Sequence, residues 1–178
     1  MADTMLGRNT WVLTTALELP ISPADAFTFF SDAANLERIT PRDLGFEIRT
    51  PAPITMRAGT VIDYVVRLHG IPMQWRMLIP VWDPPHRFVD EQTKGPYALW
   101  QHEHRVDPSP LGSIITDRVR FRLPFSPLGD IAIPIVKRQL LGIFGHRQRA
   151  VAAYLLGGRA GEARITAPVI AREPKRRA

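Results

Sequence analysis

The chain has 178 residues, of which 45% are hydrophobic and 22% are charged, the size and balance of one globular domain with a sizeable core. It contains no cysteine, which excludes disulfides, a thiolate nucleophile and cysteine metal sites. The formal net charge is +6, but no basic patch is interleaved with aromatic residues, so nucleic-acid binding is not expected.

The first third of the chain shows no targeting signal and predicts a strand followed by two short helices. Residues 1–11 lack the basic and apolar regions of a secretory signal. No apolar run approaches the roughly 18 residues of a membrane span, so we expect a cytoplasmic protein without a transmembrane segment. Alternation over 10–20 predicts the strand. Ser22 as a cap and Pro23 at the first helical position predict a helix start, and a second helix over 33–40 should end where the next proline follows.

Strand patterns then dominate, and their inward faces carry polar groups where a structural core would be apolar. Further strands are predicted over residues 44–50, 59–68 and 73–83, and three more strands are predicted between residues 87 and 121. Alternation in the last three gives these shared faces: Phe88, Asp90 and Gln92; Trp100, His102 and His104; Ile115, Asp117, Val119 and Phe121. Buried carboxylates and imidazoles are costly unless they are paired or meet a ligand. This wall therefore indicates a pocket.

The last part of the chain predicts a long helix and a tail. An apolar stripe at helical spacing runs over about 130–156 and stops at two glycines. The whole order predicts an α+β fold, in which a curved antiparallel sheet of about seven strands grips the long helix and leaves a cavity between them. We assign 1–9 to an N-terminal extension and 10–157 to the domain. Residues 158–178 hold six basic residues against two acidic ones and little to bury, which predicts a disordered basic tail.

Two stretches of sequence resemble a known superfamily. LPISPADAFTFFSDAANLERITP and PPHRFVDEQ, the latter followed by GPY and the His-x-His pair, are similar to START-like helix-grip proteins, also called SRPBCC or polyketide cyclase/dehydrase-like. The resemblance covers about residues 10–156. The second stretch is the more specific of the two and is typical of a bacterial subgroup of ligand-binding members. It implies the helix-grip fold and binding of a lipid, polyketide or similar molecule. Some members of that subgroup are fused to epimerase-like domains, which implies a possible epimerase-like protein partner.

We expect the chain to bind a small, largely hydrophobic ligand between the sheet and the C-terminal helix, without a cofactor. The candidate ligand-binding residues supply apolar walls, a polar end and a helix face. They are Tyr64, Trp75, Met77, Asp90, Gln92, Trp100, His102, His104, Asp117, Phe144 and Arg147.

Four other interpretations remain open from the sequence. A histidine held by a carboxylate is a competent base near neutral pH, so His104, His102 and Asp117 could catalyse a cofactor-free cyclisation or dehydration. The His-x-His pair could chelate a metal if a third ligand joined it, although we expect no metal. The histidines and aspartates could also form only a structural network. Finally, the chain could be a non-enzymatic partner module that uses the outward Arg118, Arg120 and Arg122 or the tail.

Overall fold

Eight antiparallel strands form one sheet in the computed structural model of the chain, which describes residues 9–68, 70–125 and 128–174. The strands are β1 (Trp11–Leu19), β2 (Glu47–Ile48), β3 (Val61–Leu68), β4 (Ile71–Asp83), β5 (Arg87–Lys94), β6 (Leu99–Pro108), β7 (Ser113–Arg122) and β8 (Arg164–Arg172). Their order across the sheet is β2-β3-β4-β5-β6-β7-β1-β8. The predicted α+β helix-grip class is confirmed, with eight strands in place of about seven.

The described residues form three α-helices, the first of which begins directly after the predicted capping residue Ser22. They are α1 (Pro23–Ser31), α2 (Ala33–Ile39) and α3 (Ile133–Leu156). The Ser22 hydroxyl accepts a hydrogen bond from the backbone N–H of Asp25 at 3.1 Å, which satisfies one of the free donors at the start of α1. A 3-10 turn at Leu128–Ala132 leads into α3. Within the described ranges no helix is long and apolar enough to cross a membrane.

The apolar core consists of two clusters at opposite ends of the sheet's inner face. The first contains, among others, Leu13, Trp75, Trp100, Val119, Phe121, Leu140 and Phe144. The second contains, among others, Leu17, Phe27, Phe88, Val106, Ile115 and Val151. Along β6 the first cluster ends at Trp100 and the second begins at Val106. The two histidines therefore lie between them.

The segment after α3 is ordered, so the prediction of a disordered tail from residue 158 is wrong as far as Arg172. β8 pairs with β1 at both of its ends, over Arg164–Thr166 and Val169–Arg172, with an irregularity between them. Glu173, just beyond it, accepts two hydrogen bonds from Arg120, at 2.7 and 3.0 Å, and lies 3.6 Å from Arg118. Composition missed the strand because most of its side chains are exposed and backbone pairing stabilises it. Residues 1–8 and 175–178 lie outside the described ranges.

Candidate functional site

A cavity of about 150 Å³ lies between the inner face of the sheet and helices α2 and α3. Ten of the eleven predicted ligand-binding residues line it. They are Tyr64, Trp75, Met77, Asp90, Trp100, His102, His104, Asp117, Phe144 and Arg147. Alternation explains the agreement for the eight that lie on strands, because a strand with one buried face presents every second side chain to the same space, and helical spacing explains Phe144 and Arg147 on α3.

Gln92 is the predicted residue that does not line the cavity. Its side-chain amide donates to the carbonyl of Tyr97 at 2.6 Å and its oxygen accepts from the N–H of Tyr97 at 3.3 Å. Gln92 shares a face with Asp90, but it lies at the end of β5, where the turn into β6 folds back over it. Its contact instead fixes Tyr97, a cavity wall residue that the sequence analysis missed.

Aromatic rings form the wall of the cavity near the first core cluster. The ring centroids of Tyr64 and Trp75 are 5.8 Å apart, those of Trp75 and Trp100 are 5.2 Å apart, and those of Tyr97 and Trp100 are 4.8 Å apart. Burial raises the pKa of both Tyr64 and Tyr97, so these hydroxyls stay neutral. The wall is therefore apolar and uncharged, and it suits a flat or aliphatic ligand body.

Two imidazoles and two carboxylates form a cluster between the two apolar halves of the core. Across the sheet, His104 is the neighbour of Asp117 on β7 and His102 is the neighbour of Asp90 on β5. The side chains also reach diagonally: Nε2 of His102 lies 3.1 Å from Asp117, and Nε2 of His104 lies 3.1 Å from Asp90. Each histidine therefore contacts both carboxylates, whereas the sequence left the strand register open.

The other two nitrogen–oxygen contacts of this His–Asp cluster are not hydrogen bonds. Nδ1 of His104 lies 2.9 Å from Oδ1 of Asp117 without hydrogen-bond geometry, and Nδ1 of His102 lies 3.6 Å from Asp90. The side chain of His102 is 4% exposed and that of His104 is 13% exposed. A ligand in the cavity can therefore reach His104 more easily than His102.

Residues on neighbouring elements support the cluster, and the sequence analysis did not single them out. The Thr15 hydroxyl on β1 donates to Oδ2 of Asp117 at 3.1 Å. Gln148 on α3 is 3% exposed and donates to the carbonyls of Ala16 and Thr166, at 2.9 and 3.0 Å. Both residues gave a signal, since each is a polar residue on an otherwise apolar face. We call Thr15, Gln148, Arg147 and the His–Asp cluster the polar layer.

Burial and the charges within the cluster together shift the pKa values of its two histidines in opposite directions. Burial alone would lower the pKa of His104, but the contacts with Asp117 and Asp90 outweigh it and raise that pKa to about 9. Burial and the neighbouring His104 lower the pKa of His102. Burial opposes ionisation of Asp117, yet its two histidine partners hold its pKa well below the usual range. At neutral pH the cluster therefore contains a protonated His104 and a neutral His102.

Arg147 enters the polar layer from α3. Its guanidinium lies 5.3 Å from the centroid of the Phe144 ring, and Nη2 donates to the Thr40 hydroxyl at 3.3 Å. Nε is buried and has no hydrogen-bond partner among the described residues. Burial lowers the pKa of Arg147, while Tyr64 and the two aspartates oppose that shift at longer range.

Solved structures of other proteins support the fold of this chain. No family model and no curated protein matches the chain. The di-domain ARO/CYC protein StfQ from the steffimycin biosynthetic pathway superposes with a TM-score of 0.65 at 16% identity, covering 86% of this chain and 53% of StfQ. Major latex-like protein 151 from Panax ginseng gives a TM-score of 0.60 at 13% identity, covering 84% of this chain and 99% of its own. This is the START-like helix-grip fold.

A third solved structure shares the helix-grip fold with a lower TM-score. Ara h 8.0201 gives a TM-score of 0.52 at 20% identity, covering 77% of this chain and 95% of its own. At these identities the likeness concerns the fold, and the chemistry of the cavity has to be argued from its residues.

Among the residues that the structure describes, one group in the cavity could hold a metal ion. The ligand atoms of Asp90, His102 and His104 all lie within 4.8 Å of one another. Two imidazole nitrogens and a carboxylate suit a divalent transition metal, which would have to displace the protons that now link the cluster. That no metal is bound stays a prediction, which elemental analysis of the purified protein tests.

Proposed function

We propose that this protein binds a small, largely apolar molecule with one polar group in the cavity between the sheet and α3. The observation that carries the proposal is a cavity with mostly apolar walls in which the polar layer groups two imidazoles, two carboxylates and the Arg147 guanidinium. Pockets for small molecules combine mainly apolar walls with a few convergent polar groups. The structural likeness to StfQ and Ara h 8.0201 supports a fold built around a hydrophobic ligand site.

The volume of the cavity limits the size of this ligand. Sites for drug-sized molecules have roughly 300–1,000 Å³, whereas this cavity has about 150 Å³. A molecule with a short chain or a single ring fits without rearrangement. A larger lipid or polyketide requires side chains of the wall to move.

The polar layer gives the ligand an orientation. His104 is protonated at neutral pH and is the more exposed of the two imidazoles, so it is a hydrogen-bond donor for a hydroxyl or carbonyl oxygen. The ligand's apolar body would then extend toward the aromatic wall of Trp75 and Trp100.

Calorimetric titration with 1-octanol tests the proposal. We expect one molecule to bind per chain, with a negative heat-capacity change, because apolar surface is buried on both sides. Absence of binding, or binding to several weak sites, would contradict a defined cavity.

A second candidate function is proton-transfer catalysis without a cofactor, favoured by the contact of His104 with two carboxylates. The raised pKa of His104 makes it an acid at neutral pH, rather than the base that the sequence suggested. Enolisation of a bound ketone would move an α-proton to the Asp90 carboxylate while His104 donates a proton to the carbonyl oxygen. The enol then returns its hydroxyl proton to His104, and Asp90, whose proton has exchanged with solvent, protonates the α-carbon, so that the ketone and both residues are restored.

Hydrogen–deuterium exchange at the α-carbons of 2-octanone tests this candidate. If the cluster is catalytic, the protein accelerates exchange in deuterated buffer, and His104→Gln reduces the acceleration by about 100-fold or more, the usual contribution of a general acid. Binding of 1-octanol by the same variant separates lost chemistry from lost binding. No acceleration by the wild-type protein would leave the binding function alone.

The cytoplasmic location and an epimerase-like partner stay predictions. The outward arginines that we considered as a partner surface are partly engaged within the chain, because Arg118 and Arg120 contact Glu173. A binding partner at this surface would have to compete with the contact that fixes the end of β8.

A further inference from the structure

We infer that the ligand of this cavity is an anion, and that its carboxylate or similar planar oxyanion pairs with Arg147. This inference rests on the proposed binding function and deepens it by naming the charge of the ligand. An arginine at this position of α3 could meet an acidic ligand group, pair with an acidic residue of the sheet, or be exposed to solvent.

The structure disfavours exposure to solvent. Arg147 lies on the cavity face of α3, three residues after the buried Phe144, and lines the cavity itself. Its Nε is completely buried, and burial is the largest influence on its pKa. A guanidinium remains charged at every pH a protein survives, so this side chain cannot escape the cost of burial by losing its proton.

The described residues give Arg147 no acidic partner. Within the parts of the chain that the structure describes, no carboxylate lies at salt-bridge distance from its guanidinium, and its one hydrogen bond is to the neutral Thr40 hydroxyl. The two nearby carboxylates are already engaged. Asp117 contacts both histidines and Thr15, and Asp90 contacts both histidines.

A buried charge without a partner is costly, whereas pairing it with a hydrogen-bonded opposite charge offsets much of that cost. A carboxylate matches the planar fork of a guanidinium and can accept two parallel hydrogen bonds from it. The Phe144 ring below the guanidinium and the neighbouring Leu140 and Ile143 supply apolar surface for the rest of the molecule. The ligand class is therefore an amphipathic carboxylic acid, and an alkylamine should be rejected.

Three probes with the same chain length and different head groups test this inference: octanoate, 1-octanol and octylamine, titrated calorimetrically at pH 7 and constant salt. We expect wild-type protein to bind octanoate about tenfold or more tightly than 1-octanol, the range of a charge-assisted hydrogen bond. Octylamine should bind weakest. Equal affinity for octanoate and 1-octanol in wild-type protein would overturn the inference.

Variants of arginine assign the preference to one side chain. Arg147→Met keeps much of the apolar stem, so it should keep 1-octanol binding and lose the preference for octanoate. Arg147→Lys keeps the charge and should retain part of that preference. Arg149→Met, an exposed arginine on the same helix, should behave as wild type. A preference for octanoate that survives in Arg147→Met would place the anion elsewhere and overturn the inference.

The outcomes also separate this inference from the proposed function. If none of the three probes binds, the cavity itself is not a ligand site. If 1-octanol and octanoate bind equally well, the cavity is a ligand site and the assignment of Arg147 to an anion is wrong.

Discussion

His104 and His102 show how neighbouring residues of one strand acquire opposite properties. Both point to the same face of β6, and their ring centroids are 3.7 Å apart. His104 makes the closer pair of contacts with Asp90 and Asp117, and it is protonated at neutral pH. The charge on His104 then disfavours a second charge on His102. Because the protonation of each side chain in the cluster depends on that of its neighbours, the apparent pKa values belong to the cluster as a whole.

The raised pKa of His104 predicts that the protein loses stability in mild alkali. A group whose pKa is higher in the folded state stabilises that state fully below its unfolded pKa of 6.5 and not at all above its folded pKa of about 9. The shift corresponds to on the order of 3 kcal/mol. We therefore expect the melting temperature to fall by roughly 6 to 12 °C between pH 6.5 and pH 9.5 for a chain of this size.

His104→Gln should remove most of this alkaline fall, and the exposed His86→Gln should leave it in place. The lowered pKa values of His102 and Asp117 both make the stability of the folded state decrease as the pH falls. For His102 this decrease begins below about pH 6.5, and for Asp117 it begins at lower pH. Maximum stability is expected near pH 6.5. A melting temperature that rises between pH 6.5 and pH 9.5 would contradict the assigned protonation of the cluster.

β8 is the element that sequence patterns did not predict. Its apolar residues Ile165 and Val169 are 44% and 61% exposed, so they carry little of the burial signal that identifies other strands. Its stability comes from backbone pairing with β1 and from contacts made by residues distant in sequence. Gln148 donates to the carbonyls of Ala16 and Thr166, which are opposite each other across the two strands.

Gln148→Leu should loosen β8 from the sheet. Leucine keeps the side-chain volume but removes both donors and leaves two carbonyls without their side-chain partner, a loss on the order of 1–3 kcal/mol. We expect faster amide exchange in β8 than in the wild-type protein, with β7 unchanged, and a melting temperature lower by several degrees.

Gln139→Leu is the matched control, because Gln139 lies on the same helix and makes no side-chain hydrogen bond to the described residues. This variant should leave exchange in β8 as it is in the wild type. If wild-type β8 itself exchanged as fast as an unstructured peptide, the pairing described here would be wrong.

Alternation predicted the inward faces of the main strands because a strand with one buried face has a fixed period of two. It placed eight of the predicted ligand-binding residues at the cavity, and the helical spacing of α3 placed Phe144 and Arg147 there as well, which makes ten of the eleven predicted. It did not predict which carboxylate meets which histidine, since the register of β5, β6 and β7 depends on the turns that connect them. Nor did it predict the role of Gln92, because its hydrogen-bond partner is the backbone of Tyr97, which the turn between β5 and β6 brings close to it.

At the scale of the whole molecule, the polar layer divides the core into two apolar halves. A continuous apolar core would be the simpler way to stabilise a sheet on a helix, since buried ionised groups seldom add net stability. Here Asp90, Asp117, His104 and Arg147 occupy the middle of the interface and line a cavity. This arrangement replaces apolar packing at the centre of the fold by polar residues and a cavity. The proposed ligand site accounts for the presence of those residues there.

The central claim is that a ligand binds inside the cavity, and calorimetric titration of 1-octanol against two variants of β3 tests it most directly. Val66 is 6% exposed and lines the cavity, whereas its neighbour Val65 points to the other face of the sheet. Val66→Phe fills cavity space at a cost on the order of 1–3 kcal/mol in stability, and Val65→Phe is the matched control. We predict that Val66→Phe weakens 1-octanol binding by about tenfold or more while Val65→Phe binds as the wild type does. Unchanged binding by a folded Val66→Phe variant would contradict the account.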